Sequence, residues 1–379
     1  MKSWRTWIEI NERSLQHNIN ALRALLEPNA RFCAVIKANA YGHGMNEIAS
    51  IAHRTGVDAF AVDNIDEALQ IREKYPSALI IVLGFTMFDR YKDAINSQIY
   101  LTLYDKEGIE HAQSVGHELA KTVFVNLKIE TGTMRQGVSL EDLSDLALQI
   151  GRANHIKLDS VSTHFADVEN HENNEASAKQ FGLFEKAINI LASHGLYPSF
   201  KHCACSAAHI LFPQTHMSLC RVGIAMYGLW PSESVQNNSR KLNINLELKP
   251  VLEWKTRVAQ IKNIEIGTSV GYGFSEKIKR SGRIAILPVG YSDGYPRNLS
   301  SIGEVLISGQ SCKIIGRVCM NMMMVDVSNV PSITKENEVK LIGIDGMRKV
   351  SVEDLATKAN TINYEIVSRI NPTLARIII

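Results

Sequence analysis

The chain has 379 residues, 45% of them apolar and 21% charged, which suits a soluble protein of two domains with ample core. Its 41 basic and 39 acidic side chains nearly cancel to a formal charge of +2, so nothing in the balance marks a nucleic-acid or anionic-membrane surface. No apolar stretch reaches the roughly 18 residues of a membrane helix, and MKSWRTWIEI has no uninterrupted apolar run, so no secretory signal and a cytoplasmic location are expected.

From the N-terminus, β-rich runs alternate with helical patterns. RFCAVIK (31–37) precedes a helix from about Met45 to Thr55, and VDAFAV (57–62) precedes IDEALQIREKY, whose Ile65, Leu69 and Arg72 spacing suits an amphipathic helix. ALIIVLG (78–84) and IYLTLY (99–104) follow, the latter before DKEGIEHAQSVGHELA. TVFVNLKIE (122–130) leads into SLEDLSDLALQI, where Ser139 stands three residues before Asp142 in a capping arrangement. HIKLDSVSTHF (155–165), a long helix from about Glu172 to His194, SFKHCAC (199–205) and SLCRVGIAMYG (218–228) complete the series. Strands this apolar, separated by helices, are those of a parallel sheet covered on its faces. Eight such units predict an α/β fold with an N-terminal (β/α)8 TIM-like barrel. An open doubly wound sheet is the alternative, but no GxGxxG follows the first strand.

Near PSESVQNNSRKLNIN (231–245) the texture becomes that of a polar linker. Beyond it, LKPVLEWKTRVAQIKNI, GRIAILPVGYSDGYP, EVLISGQSCKIIGRV, MMMVDVSNV and EVKLIG read as antiparallel strands, with one helix at SVEDLATKAN. The predicted division is a barrel over 1–235 and a mostly-β domain over 236–379, with the first ten or so residues packing against the latter. Six cysteines (33, 203, 205, 220, 312 and 319) in largely apolar surroundings read as buried, reduced thiols. Cys203-Ala-Cys205 lacks zinc-ligand spacing, so no metal is expected.

The active face of a barrel lies at the strand C-termini. Lys37 closes the first run, Lys128 lies late in TVFVNLKIE, and Arg135 follows in ETGTMRQG. His164 ends its run, Ser206 follows KHCAC, and Arg221 sits within LCRVGIAMYG. Any one of these reads alone as a surface cation or a satisfied core histidine. Gathered at one end, they predict a concave cationic site.

The segments AVIKANAYGHG, STHFADVEN, ACSAA, RVGIAMYG, VGYGFS, LPVGYSDGYPR, GRVCMNMMMVDV and INYEIVSR resemble, in order, the signature segments of the alanine racemase family. The resemblance runs from about residue 5 to the end of the chain. It implies a pyridoxal 5'-phosphate enzyme, a barrel with a C-terminal β domain, and a homodimer whose active sites take residues from both subunits.

In that resemblance Lys37 binds the cofactor as a Schiff base, which needs the unprotonated amine, and serves as one of two bases. Tyr272 of the GYG segment, from the other subunit, is the second base, assisted by His164 and Arg221. Arg221 also faces the pyridine nitrogen. Tyr41, Ser206, backbone N–H groups near Gly223 and Ile224, and Tyr364 hold the phosphate. Arg135 and the partner's Met320 contact substrate, Tyr291 narrows the entrance to a small side chain, and Lys128 matches a lysine often carbamylated. The implied activity is interconversion of L- and D-alanine, supplying D-alanine for peptidoglycan, with serine or a broader amino-acid range as the alternative.

Asn321 follows Cys319-Met320 where the family commonly has aspartate, keeping shape and an acceptor but not the charge. Basic amino-acid decarboxylases share the architecture, but their catalytic-cysteine segment is not found here. A pyridoxal-phosphate carrier resembles the barrel alone and needs no second base. A periplasmic broad-range racemase would be expected to carry a signal peptide.

Overall fold

The computed structural model describes residues 4–169 and 174–379. By internal packing the chain forms two units, one of Leu15–Ala38 and Ala49–Lys249, the other of Met1–Ser14, Asn39–Ile48 and Pro250–Ile379.

β1 (Thr6–Ile10) begins the second of these. The first is the barrel, whose strands are β2 (Arg31–Val35), β3 (Ala59–Val62), β4 (Leu79–Val82), β5 (Leu101–Leu103), β6 (Val123–Lys128), β7 (Ile156–Ser162), β8 (Phe200–His202) and β9 (Leu219–Val222). They pair in parallel as two four-stranded sheets, β4-β3-β2-β9 and β5-β6-β7-β8. One seam closes through the parallel bridge Ile81–Tyr100. The other closes through the Ser218 N–H to the Lys201 carbonyl (3.2 Å) and the Arg221 N–H to the Ala204 carbonyl (3.1 Å). All eight apolar runs of this half are strands, shorter than the runs by a residue or more at their ends, because each strand stops where its polar residues turn into the loops.

The covering helices are fixed by local chemistry. Asn64 caps Ile65–Lys74 at the Glu67 N–H, with acids in its first turn and bases in its last, matching the helix dipole. Asp105 caps Lys106–Leu119 at the Gly108 N–H. Ser139 and Asp142 exchange hydrogen bonds, but one turn ahead of helix Leu143–Arg152, whose N-cap is Asp142 itself with no side-chain cap bond. Helix Asn174–Ser193 is present, while its expected start near Glu172 lies outside the described residues.

The expected linker at 231–245 is a correction. Residues Glu233–Lys241 form a helix, capped by Ser232 at the Val235 N–H. Its polar composition hid it, but Glu233 at one end and Arg240 and Lys241 at the other suit the dipole, and Val235 is buried.

The remaining strands of the second unit are β10 (Leu252–Arg257), β11 (Gln260–Ile264), β12 (Ser269–Val270), β13 (Glu276–Lys277), β14 (Gly282–Leu287), β15 (Glu304–Ile307), β16 (Gln310–Lys313), β17 (Met323–Asp326), β18 (Glu338–Asp345), β19 (Arg348–Val350) and β20 (Ala375–Ile378). The main sheet runs β16-β15-β18-β10-β1-β20, and a smaller one runs β11-β14-β17. Pairing is antiparallel as expected except that β1 and β20 run parallel, Trp7 opposite Ala375. Helix Val352–Ala359 carries a capping box between Ser351 and Asp354 and ends at left-handed Asn360. A second helix, Asn363–Ser368, lies within INYEIVSR.

Candidate active site

Lys37 directly follows β2, and the chain there does something the sequence did not announce. Lys37–Tyr41 is one helical turn in which Ala38, Asn39, Ala40 and Tyr41 have φ of +52, +53, +52 and +53°. A left-handed turn costs about 1–2 kcal/mol per residue bearing a Cβ, so the surroundings must dictate it. In the barrel unit the Ala38 N–H donates to Glu67 Oε1 (2.8 Å). In the other unit the Gly44 N–H donates to the Asn39 carbonyl (2.9 Å), and Arg376 Nη2 donates to the Gly42 carbonyl (2.9 Å). A Cβ on Gly42, at φ +80°, would lie 1.8 Å from the Val367 carbonyl oxygen, so only glycine fits.

The barrel unit brings together a cationic set. Lys37 Nζ is 3.2 Å from Asp63 Oδ1, and the Asp63 N–H donates to the second oxygen of Glu67 (2.9 Å). Asp63 and Glu67 escaped sequence reasoning. Their signal was position, since both follow the VDAFAV run at the strand end.

Arg221 is buried within β9 with no carboxylate among its hydrogen-bond partners in the described residues. Nη1 approaches His202 Nδ1 at 2.6 Å and donates to the His202 carbonyl (2.8 Å). Nη2 donates to the Thr163 carbonyl (2.8 Å) and approaches His164 Nδ1 at 3.3 Å. Because a guanidinium only donates, both imidazoles accept at Nδ1 and carry hydrogen at Nε2. Burial, then the charge of Arg221, holds His164 and His202 well below the ordinary histidine range. The His164 carbonyl is clamped by Thr133 Oγ1 (2.6 Å) and Gln180 Nε2 (3.4 Å).

Lys128 ends β6, and burial, reinforced by Arg221 and Arg135, holds its amine well below the ordinary lysine range. Arg135 is exposed on a loop whose backbone wraps the Glu130 carboxylate. The Gly132 N–H bonds one oxygen and the Arg135 N–H the other (3.2 Å). Ser206 opens helix Ser206–Leu211, and its Oγ accepts from the N–H groups of Gly223 (3.0 Å) and Ala225 (3.4 Å). Ile224 stands between those two donors.

The other sequence-derived residues lie in the second unit. The Tyr41 and Tyr364 rings are 6.1 Å apart. Tyr291 and Met320 are on two loops laced together: the Tyr291 N–H donates to the Cys319 carbonyl (3.0 Å) and the Ser292 N–H to the Met320 carbonyl (2.9 Å). Asn321 Nδ2 joins the same lacing through Ser292 Oγ (2.6 Å). Tyr272 stands on a turn between Gly271 and Gly273, both at positive φ, and is 71% exposed.

Against known proteins, residues 10–231 match the model of the alanine racemase N-terminal domain, and residues 251–378 that of the alanine racemase C-terminal domain. An alanine racemase of Leptospira interrogans is 34% identical over 379 residues, covering 100% of this chain and 96% of the relative. Among solved structures, alanine racemase from Clostridium difficile 630 gives a TM-score of 0.93 at 30% identity, covering 100% of this chain and 97% of that one. Alanine racemase from Bacillus anthracis with bound L-Ala-P also gives 0.93 at 30% identity, over 100% and 96%. Matched from end to end in sequence and in structure, the chain belongs to the alanine racemase family.

Proposed function

We propose that the protein interconverts L- and D-alanine with pyridoxal 5'-phosphate, by proton transfer at Cα from two opposed bases, Lys37 and Tyr272. The observation that carries the reading is the buried Arg221, bonded to two imidazoles and to carbonyls and, among the described residues, to no carboxylate. The donor set fits the cofactor: an amine at a strand end, a guanidinium without a counter-anion, and a serine that opens a helix beside glycine N–H groups. When bound, the cofactor supplies an electron-withdrawing ring that delocalises the charge left at Cα when its proton departs.

Lys37 is the attachment point and takes or returns the proton on one face of the substrate. Asp63 and Glu67 fix where its amine starts from. Tyr272, contributed by a partner subunit, works on the other face. His164, with its Nδ1 occupied by Arg221, has its Nε2–H free to steady a tyrosinate oxygen. Arg221, which cannot readily release a proton, would face the ring nitrogen of the bound cofactor and supply no proton to it. Tyr41, Ser206, the backbone around Gly223 and Ile224, and Tyr364 hold phosphate. Arg135 binds the substrate carboxylate, with Met320 and Tyr291 limiting side-chain size. Lys128, whose amine burial holds well below the ordinary lysine range, is suited to add CO2, losing one proton to solvent, and become a carbamate that would bond Arg135.

In this reading the domain over 1–235 supplies most of the cofactor's ligands, while 236–379 supplies Tyr364 and the second base. A homodimer is supported by the exposure of Tyr272, Phe274 and Met320, all large side chains without cover. A cytoplasmic role in supplying D-alanine for peptidoglycan is supported by six free cysteines. No helix among the described residues is long and apolar enough to cross a membrane. Racemisation assayed across alanine, serine, lysine and arginine tests the reading. A turnover preference for alanine is expected, and faster turnover of any of the others would replace it with the broader-range alternative.

A further inference from the structure

His209, His216 and Cys220 form a cluster the proposed chemistry does not use. His209 lies on helix Ser206–Leu211, His216 follows the short turn Pro213–Thr215, and Cys220 is the second residue of β9. All three are fully buried. Each offers a donor atom within 4.8 Å of the other two. The two rings stack at 4.7 Å, 28° apart.

Their hydrogen bonds differ in a telling way. His209 Nε2 donates to the Leu22 carbonyl at 2.8 Å, which places hydrogen on Nε2 and leaves a bare lone pair on Nδ1. That Nδ1 is buried with no partner. Metal-binding histidines are held in this manner, one nitrogen on a carbonyl and the other on the metal. His216 is more committed: its Nδ1 accepts the Glu27 N–H (3.2 Å) and its Nε2 donates to the His209 carbonyl (2.9 Å). Among the described residues Cys220 makes one hydrogen-bond contact, a long one from Sγ to the His216 carbonyl at 3.6 Å.

We infer that His209 Nδ1 and Cys220 Sγ form a two-coordinate site for a soft monovalent cation, Cu(I) or Ag(I), with the His216 ring stacked beside it and both of its nitrogens already committed. Distance permits it. With bonds near 2.3 Å to sulfur and 2.1 Å to nitrogen, opposed ligands lie about 4.4 Å apart. Charge selects the class. One thiolate and one neutral imidazole leave a monovalent cation with no net charge in an apolar interior already holding Arg221, whereas a zinc ion would add an uncompensated positive charge. On binding, the Cys220 proton leaves to solvent, S–metal and N–metal bonds form, and no electrons are transferred. The ion would clip helix Ser206–Leu211 to β9 and stabilise the barrel by mass action.

The test titrates reduced, full-length protein with Cu(I) against a chromophoric Cu(I) chelator without oxygen. At one equivalent, X-ray absorption of the parent protein is expected to show one sulfur and one imidazole nitrogen, with a raised melting temperature. Cys220→Ser should lose that equivalent, and His209→Phe should weaken it by roughly tenfold or more. Sulfur-only ligation, which would point to the other cysteines, overturns the inference, as does Cu(I) stoichiometry unchanged in Cys220→Ser. Because X-ray absorption is read on the parent protein, the decision stands even where a variant fails to fold.

Discussion

Arg221 Nη1 lies 2.6 Å from His202 Nδ1, and this contact begins a chain of hydrogen bonds across the barrel interior. His202 Nε2 reaches Ser160 Oγ (2.8 Å) and Asn126 Oδ1 (3.1 Å). Asn126 Nδ2 donates to Thr102 Oγ1 (2.8 Å), which donates to the Val82 carbonyl (2.5 Å). Strands β9, β8, β7, β6, β5 and β4 are thereby joined in turn. The chain aims His202 so that its Nδ1 lone pair faces the guanidinium. His202→Phe deletes this charge-assisted bond and the bond from Nε2–H into the network, but spares those Arg221 makes to the carbonyls of His202, Thr163 and Cys203, so a loss of about 2–4 kcal/mol is expected rather than unfolding. Urea denaturation measures it. A loss below about 0.5 kcal/mol, the level of an ordinary surface substitution, would mean that His202 only fills space.

The left-handed turn makes two substitutions behave against habit. Gly42→Ala places a methyl 1.8 Å from the Val367 oxygen and should abolish soluble protein or sharply lower its melting temperature. Ala38→Gly ordinarily costs about 0.5–1 kcal/mol in chain entropy. At φ +52° it also relieves a penalty of about 1–2 kcal/mol, so stability should be unchanged or slightly raised. Thermal melting of the two variants distinguishes this from a turn that is unstrained, in which Ala38→Gly would destabilise.

Acid should loosen the same region. Burial, opposed by hydrogen bonds to the Tyr41 and Ala40 backbone, holds the His43 imidazole down at about 4. The unfolded chain takes up this proton near pH 6.5, the folded protein only near 4. Stability from this group is therefore complete above pH 6.5 and is lost as pH falls toward 4, in total about 3 kcal/mol at about 1.4 per pH unit. Urea midpoints measured between pH 7.5 and 4 should fall accordingly, and His43→Asn should flatten the dependence. A slope identical in parent and variant would remove His43 as its source.

The barrel was legible because its strands are buried on both faces and so are continuous apolar runs, from RFCAV to LCRV. The strand-end rule also located the residues of the cationic set, with His164 and Arg221 in contact. Three things were not legible. The turn at Ala38–Tyr41 runs against the preference of alanine and tyrosine, and is dictated by contacts distant in sequence, at Glu67 and Arg376. Helix Glu233–Lys241 is too polar for periodicity to reveal. The His202 network depends on strand register, Asn126 beside Ser160 and Ser162 beside His202, which no single run discloses.

Asn321 bears on the departure from the family pattern. Its amide donates to Ser292 Oγ at 2.6 Å, while Ser292 Oγ in turn donates to the Met320 carbonyl (2.9 Å). Aspartate here would offer only an acceptor to a hydroxyl whose hydrogen is already committed. Asn321→Asp should loosen the lacing of the Tyr291 and Met320 loops by about one neutral hydrogen bond, near 1 kcal/mol. Steady-state kinetics should show less than about a tenfold change in kcat/KM for alanine, with a larger relative change for serine. A loss of more than about a hundredfold would assign Asn321 to the chemistry itself.

The two-base scheme is tested by separating the faces. Tyr272 is 71% exposed on its turn, so Tyr272→Phe removes a hydroxyl from the surface and should alter stability by no more than about 0.5 kcal/mol. Loss of a general base costs about 10²–10⁴ in rate. Exchange of the Cα proton of L-alanine with deuterated solvent should fall by that order in Tyr272→Phe, while exchange from D-alanine falls far less. Lys37→Ala should show the opposite preference and lose the absorbance of covalently held pyridoxal 5'-phosphate, because in the proposed scheme the same amine serves attachment and proton transfer. Equal losses from both enantiomers in Tyr272→Phe would contradict opposed bases, and an unchanged cofactor spectrum in Lys37→Ala would move the attachment point elsewhere. Since Lys37 is steadied by Asp63 at 3.2 Å, Asp63→Ala supplies the intermediate case. It should keep the attachment yet slow exchange on the Lys37 face alone, which a general disturbance of the site would not do.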